Sequence, residues 1–174
     1  MIYLLDHSGK ERWYFEVNEA GWAFRQILLE EGKESKISNQ KKYDFFLSET
    51  ELSLDDETLL RITQDEFEEV WNRINRDQTQ SWVELKSKLP LGTKVTGPIE
   101  VLYPQGVIVS LPDFDTLAIA NYEECAANYK NRNLHKGLYV TADIIGYDEV
   151  NYWFVVGNPR IIDMQQKLRS QERT

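Results

Sequence analysis

Cysteine, histidine and long apolar runs are scarce in this sequence of 174 residues. Cys125 is the single cysteine, so no disulfide can form within the chain. His7 and His135 are the two histidines, and no motif links either of them to Cys125 or to a serine nucleophile. The sequence also has no cysteine and histidine spacing suited to zinc and no glycine-rich phosphate loop. These absences predict a protein that is not an enzyme and that needs no metal or cofactor.

No apolar run is long enough to cross a bilayer, and the first five residues lack the basic region of a secretory signal. Hydrophobic residues make up 41% of the chain and charged residues 28%, which are ordinary values for a globular protein. Because one cysteine fits a reducing compartment, we expect a cytoplasmic protein that has no membrane partner.

The formal net charge is −9, and most of it lies in the first half of the chain. Residues 1–88 carry a net charge of −7, whereas residues 89–174 carry −2. Since nucleic-acid affinity depends on neutralising phosphates, this charge disfavours nucleic acid and favours a basic protein partner. Small acidic cytoplasmic proteins of the immunity or antitoxin kind neutralise basic toxins through such complementarity, which is an analogy of charge alone.

Residues 1–76 are predicted to form a small acidic α+β domain with the element order ββα-βββα. Two strands flank a polar gap in which Gly9 can adopt positive φ, and a helix capped by Asn18 follows and stops at Gly32. Three short strands then precede a second helix. The predicted strands are residues 2–5, 12–17, 43–47, 51–54 and 58–62, and the first helix has Trp22, Ala23, Ile27 and Leu28 at helical spacing.

The second helix begins with a capping box, in which Thr63 bonds forward and Glu66 reaches back. Polar residues 77–80 show no apolar periodicity, so we place the junction between two domains there. A further capping box at Ser81 and Glu84 opens a short helix that ends before Pro90. Residues 77–90 are therefore predicted to be a linker with a short helix.

The segment from Val95 to Leu111 reads as a β-hairpin around a break at Pro104, Gln105 and Gly106. Its spacing resembles the opening of an OB-fold RNA-binding domain of the ribosomal-protein-S-one type. The residues in step with that pattern are Gly97, Ile99, Leu102, Gly106, Val109 and Leu111. The resemblance implies a five-stranded OB-fold β-barrel.

The later part of the chain is similar to the end of the same repeat. Residues 117–120 form a predicted third strand, and residues 122–129 a predicted helix. An alternating strand at 137–145, a turn at 148–151 and a strand from Trp153 follow. The resemblance covers about residues 91–160 and leaves residues 161–174 as a C-terminal tail. The whole fold is thus expected to be α+β, an N-terminal α+β domain followed by the OB-fold barrel.

The resemblance implies a surface that binds single-stranded RNA by aromatic stacking and cations. At the family's four binding positions this chain has Gln105, Ile108, approximately Ala120, and Trp153, so three have lost the usual chemistry. Tyr147 and Tyr152 could substitute as aromatics, and Lys130, Arg132 and Arg160 could add cations. The predicted RNA-binding residues are Tyr103, Gln105, Ile108, Tyr122, Trp153, Lys94 and Lys136.

A second hypothesis gives the binding role to the acidic N-terminal half, with the barrel as scaffold. Its candidate residues would meet a basic protein, although a polar turn and the first turns of a helix also explain acids at these positions. These residues are Asp55, Asp56, Glu57, Asp65, Glu68 and Glu69. The sequence leaves both hypotheses open and favours weak RNA binding, because the fold resemblance is the more specific evidence.

Overall fold

The computed structural model describes residues 1–7, 9–43, 45, 47–130 and 133–162. The chain forms two compact units, one of Met1–Ser81 and one that begins at Trp82. Each unit is built on a β-sheet of its own. Within the described ranges, no helix is long and apolar enough to span a membrane.

The first unit contains one antiparallel five-stranded sheet with the strand order β4-β3-β2-β1-β5. The predicted hairpin of β1 and β2 is confirmed, and Gly9 adopts a φ of +66° in its turn. The predicted strand at 58–62 is confirmed as β5. The strands are β1 (Ile2–Asp6), β2 (Glu11–Val17), β3 (Ala23–Glu30), β4 (Lys36–Ile37) and β5 (Leu59–Ile62).

The helix predicted after Asn18 is wrong, because this segment forms β3 instead. Asn18 caps a turn, not a helix, since its Oδ1 accepts the N–H groups of Ala20 and Trp22, both at 3.0 Å. The strand is buried on both faces over most of its length, so its sequence lacks the polar alternation typical of strands. The predicted order ββα-βββα is therefore replaced by five strands followed by a helix.

The loop before β5 covers one face of the sheet, where the sequence predicted two further strands. Residues 47–54 contain no strand, and a 3-10 helix occupies Lys41–Tyr43. Leu47, Leu52 and Leu54 pack on a cluster that includes Phe15. Two residues of the predicted strand 43–47, at positions 44 and 46, lie outside the described residues.

The opposite face of the sheet is covered by α1 (Gln64–Asn75), and its predicted capping box is confirmed. The N–H of Glu66 donates to Thr63 Oγ1 at 3.2 Å, and the N–H of Thr63 donates to the Glu66 carboxylate at 2.7 Å. Phe67, Val70 and Trp71 are the buried side chains that α1 contributes to this core. Burial of one apolar stripe thus fixes the helix on the sheet.

Residues 77–80, where the sequence predicted the junction between two domains, are helical. A 3-10 helix at Arg76–Gln78 leads directly into α2 (Thr79–Lys88). Ser81 lies inside α2, and it is not the start of the helix that the sequence predicted. The division between the two units falls after Ser81. The proposed domain limits of 1–76 and 91–160 stay predictions.

The second unit is a closed barrel with the strand order β10-β8-β7-β6-β9. Neighbouring strands are antiparallel except β8 and β10, which are parallel. This confirms a mixed α+β protein with a five-stranded barrel. Its elements are β6 (Lys94–Tyr103), β7 (Gly106–Leu111), β8 (Thr116–Ala120), α3 (Tyr122–Ala127), β9 (Tyr139–Asp148) and β10 (Trp153–Ile162).

Strand β6 pairs with two different neighbours along its length and so helps to close the barrel. Its first half, from Lys94 to Pro98, pairs with β9, and its second half pairs with β7. Gly97 packs against the backbone of β7, and a Cβ there would meet the carbonyl oxygen of Ser110 at 1.7 Å. The predicted C-terminal tail begins within β10, and residues 163–174 lie outside the described residues.

Candidate binding surfaces

The outer side of the barrel carries three of the predicted RNA-binding residues. Ile108 points outward, because its neighbours Val107 and Val109 both belong to the barrel core. Trp153 precedes the core residue Phe154 and likewise points outward. The ring centroids of Tyr103 and Trp153 lie 6.0 Å apart. The structure thus brings Tyr103 and Trp153 into contact, with Ile108 on the same outer side.

These three side chains are nevertheless buried, with exposed fractions of 9% for Tyr103, 0% for Ile108 and 1% for Trp153. Burial raises the pKa of the Tyr103 phenol well above its usual range, so the hydroxyl stays protonated. A base can stack only on a ring whose face is accessible. Among the predicted residues, Tyr122 is the aromatic that is exposed, at the start of α3, whereas Gln105 is half-buried.

The two predicted cations are both engaged with acids of the barrel. Lys94 Nζ lies 2.9 Å from Asp143 Oδ1, and this hydrogen bond lowers the pKa of the Asp143 carboxyl. Lys136 Nζ lies 3.5 Å from Glu100 Oε2. A paired lysine offers less net charge to a phosphate than a free one. Lys130 and Arg160 are exposed, and Arg132 lies outside the described residues.

The tyrosines considered as substitute stacking residues pack against α2. Tyr147 and Tyr152 contact the ring of Trp82, with centroids 6.2 and 5.7 Å away. Trp82 donates its indole N–H to Glu149 at 2.8 Å, and Lys86 Nζ lies 2.7 Å from the same carboxylate. This cluster closes the hydrophobic core of the barrel. The sequence did not reveal it, because Trp82 is separated from its partners by more than sixty residues.

The acidic surface of the first unit is exposed at five of its six candidate residues, and Glu68 is the one that is half-buried. Asp55 and Glu57 lie in the turn before β5, and Asp65 and Glu69 lie on α1. Asp56 instead organises that turn, since its Oδ1 accepts the N–H of Thr58 at 2.9 Å and the Thr58 hydroxyl at 2.7 Å. These bonds lower the pKa of the Asp56 carboxyl.

Glu68 differs from the other candidates, because its carboxylate binds Arg25 of β3. The guanidinium lies 2.6 Å from Glu16 and 2.5 Å from Glu68, and it stacks 4.8 Å from the ring centroid of Phe67. Arg25 and Glu16 are both buried. The charge of Glu68 is therefore compensated inside the unit. Sequence reasoning missed this network because it placed Arg25 in a helix.

Cys125 is buried in the barrel core, and burial raises the pKa of its thiol to about 11. We expect iodoacetamide to modify the native protein at pH 8 at least tenfold more slowly than the urea-unfolded chain, because thiolate is the reactive form. Since the folded pKa is raised, the neutral thiol stabilises the fold below about pH 9, and that contribution declines toward pH 11. Equal alkylation rates in native and unfolded protein would contradict this expectation.

In the described part of the chain, no group of three or more histidine, cysteine, aspartate or glutamate side chains could hold a metal ion. No protein-family model matches the sequence. A comparison with curated proteins likewise gives no significant match. The two surfaces described above are therefore the features from which function can be inferred.

Proposed function

We propose that the protein is a non-catalytic, cytoplasmic binding protein whose barrel is an OB-fold. Support comes from the strand order, in which five strands close a barrel and α3 connects β8 to β9. OB-folds present a binding surface on their second and third strands and the adjoining loops. The resemblance of residues 91–160 to the ribosomal-protein-S-one type agrees with this proposal.

The ligand that the surfaces favour most is a basic protein. The observation that carries this proposal is the contrast in charge between the two units. Five candidate acids of the first unit are exposed, whereas Lys94 and Lys136 of the barrel are paired with acids. Complementary charge of this kind speeds the encounter of two proteins and suppresses wrong partners. The barrel then serves as a scaffold, in the manner proposed for an acidic regulatory or immunity-type protein.

Reversing Asp55 and Glu57 to lysine should slow association with the basic partner about tenfold at low salt, because both carboxylates steer the encounter. The partner is first identified by mass spectrometry of co-purified material, and rates are then measured by stopped-flow fluorescence. The difference should shrink as salt rises. Asp56 is left unchanged, since it holds the turn.

The matched control reverses Asp113 and Glu123, two exposed acids of the barrel, and changes net charge by the same amount. This control should leave the association rate within about twofold, because steering depends on where charge lies. If both double variants slow association equally, the effect is one of net charge and the proposed surface is wrong.

A second candidate function is weak binding of single-stranded RNA on the outer side of the barrel. It is favoured by the exposed ring of Tyr122. The described burial of Tyr103, Ile108 and Trp153 limits the stacking surface, so we expect low affinity and strong salt dependence.

Changing Tyr122 to alanine should weaken RNA binding by about fivefold or more, since base stacking on one aromatic contributes roughly 1–3 kcal/mol. Fluorescence anisotropy with a short single-stranded RNA measures this, and Trp22→Ala, at an exposed tryptophan of the first unit, is the control. Trp153→Ala is less suitable, because removing a buried tryptophan costs about 3–5 kcal/mol of stability. Absence of binding at low salt and high protein concentration would reject the RNA proposal.

A further inference from the structure

Within the part of the chain that the structure describes, strand β5 forms one end of the first sheet and pairs with β1 alone. In an antiparallel strand, alternate residues direct their backbone N–H and C=O groups toward opposite neighbours. Leu59 donates its N–H to the carbonyl of Asp56 at 3.0 Å, and so does not use it for β1. Arg61 lies two residues after Leu59, so its backbone N–H and C=O groups point in the same direction as those of Leu59. The backbone of Arg61 is therefore directed toward the open side of the sheet.

This edge is accessible in the folded chain. The Leu60 side chain is 56% exposed, and Arg61 with the flanking residues Thr58 and Thr63 is also exposed. At the opposite end of the sheet, β4 is only two residues long and carries an exposed lysine, features that protect an edge from pairing. Strand β5 is the longer edge, and it offers an apolar side chain beside an open backbone.

The charge around β5 indicates which strand could pair there. Residues 55–66 contain five acidic residues and one basic residue, Arg61. A second copy of this chain would bring the same acids against each other, and like charges on paired strands destabilise them. A segment with lysine or arginine near its ends would instead be attracted at both ends of β5.

We propose that β5 is a docking edge on which an extended basic segment of a partner protein pairs as an additional strand. An apolar residue of that segment packs on Leu60, and its cations face Asp55, Glu57 and Asp65. Main-chain hydrogen bonds supply affinity, while Leu60 and the acids supply specificity. The inference rests on the proposed function, because it defines how the acidic surface holds its partner.

The test uses a fluorescein-labelled peptide of alternating lysine and valine, titrated with the full chain and followed by anisotropy. Its companion is the same peptide with every backbone amide methylated, which keeps charge and removes the main-chain hydrogen-bond donors of both edges. We expect the unmethylated peptide to bind at least tenfold more tightly. We also expect it to slow amide hydrogen exchange in Leu59–Ile62.

Two protein variants locate the site. Leu60→Lys should weaken binding of the unmethylated peptide at least tenfold, because it replaces the apolar contact with a cation opposite lysines. Ile145→Lys, at a strand residue of the barrel that is 58% exposed, should leave binding unchanged. Thermal unfolding of both variants should match that of the unaltered protein, since both positions lie on the surface.

The inference is wrong if neither peptide binds, if the methylated peptide binds as tightly, or if Leu60→Lys has no effect. Binding of both peptides that is weakened by reversal of Asp55 and Glu57 would leave the proposed acidic surface intact and remove only strand pairing. If both peptides bind and the reversal of Asp55 and Glu57 does not weaken their binding, the result would count against both proposals.

Discussion

Replacing Arg25 with methionine should lower the free energy of unfolding of the first unit by about 3–5 kcal/mol. The guanidinium compensates the carboxylates of Glu16 and Glu68 in a site where Arg25 and Glu16 are buried. Methionine retains much of the apolar volume but leaves both carboxylates without their cation. Urea unfolding of the full chain, combined with hydrogen exchange at amides of β1 to β3, measures the loss where it occurs.

Two further variants distinguish the effect of uncompensated carboxylates from the effect of lost packing. Lys33→Met breaks an exposed ion pair with Glu30, and we expect the urea concentration at the unfolding midpoint to stay unchanged. Adding Glu16→Gln and Glu68→Gln to Arg25→Met should recover part of the loss, because no uncompensated charge then remains. If Arg25→Met unfolds at the same urea concentration as the unaltered protein, the network does not stabilise the fold. For the same reason, Glu68 is unsuitable for charge reversal in partner-binding experiments.

Changing Gly97 to alanine should destabilise the barrel by about 3 kcal/mol or more. An added Cβ would lie 1.7 Å from the carbonyl oxygen of Ser110, and a backbone atom cannot move aside as a flexible side chain can. Strands β6 and β7 must therefore separate at the point where β6 changes its pairing partner. Urea unfolding followed by circular dichroism, with hydrogen exchange at β6 and β7, measures the effect.

Gly146→Ala is the matched control, since it also lies in a barrel strand. Its added Cβ would meet the Val155 side chain at 3.6 Å, which is ordinary van der Waals contact. We expect a change within about 1 kcal/mol, because removing backbone freedom from the unfolded chain offsets small packing costs. Equal destabilisation by both substitutions would show that the close approach at Gly97 is not what matters.

Much of the barrel could be predicted because its signals are local. The hairpin break at Pro104 to Gly106, the alternation in β9 and the turn before Trp153 each depend on a few neighbouring residues. The capping box of Thr63 and Glu66 is equally local, and the structure confirms it. In these segments the local sequence preferences match the secondary structure of the folded chain.

The first unit was harder to predict because its pattern is set by long-range packing. β3 is covered by α1 on one face and by the loop with Leu47 and Leu52 on the other, so its apolar residues follow no strand period. The spacing of the apolar residues in β3 matched the period of a helix instead. The polar residues 77–80 read as a linker, yet they continue a helical segment that α1 has begun.

The candidate sites show the same difference between local signals, which could be predicted, and long-range contacts, which could not. The family resemblance implied that Ile108 and Trp153 lie on a binding surface, but no sequence pattern could predict that both are buried. The pairing of Lys94 with Asp143 joins residues 49 positions apart, which a linear reading cannot detect. Charge at a surface was predictable, whereas its compensation by a distant partner was not.

The place of Trp82 and Leu89 in the barrel core has a practical consequence for excising this half of the protein. A fragment starting at residue 91, where the family resemblance begins, would lose both side chains and the bond from Trp82 to Glu149. Losing a buried tryptophan and a buried leucine costs about 3–5 and 2–5 kcal/mol. Together these losses approach the whole stability of a typical domain, about 5–15 kcal/mol. An autonomous barrel must therefore be cut upstream of Trp82, so that it retains the helix that seals it.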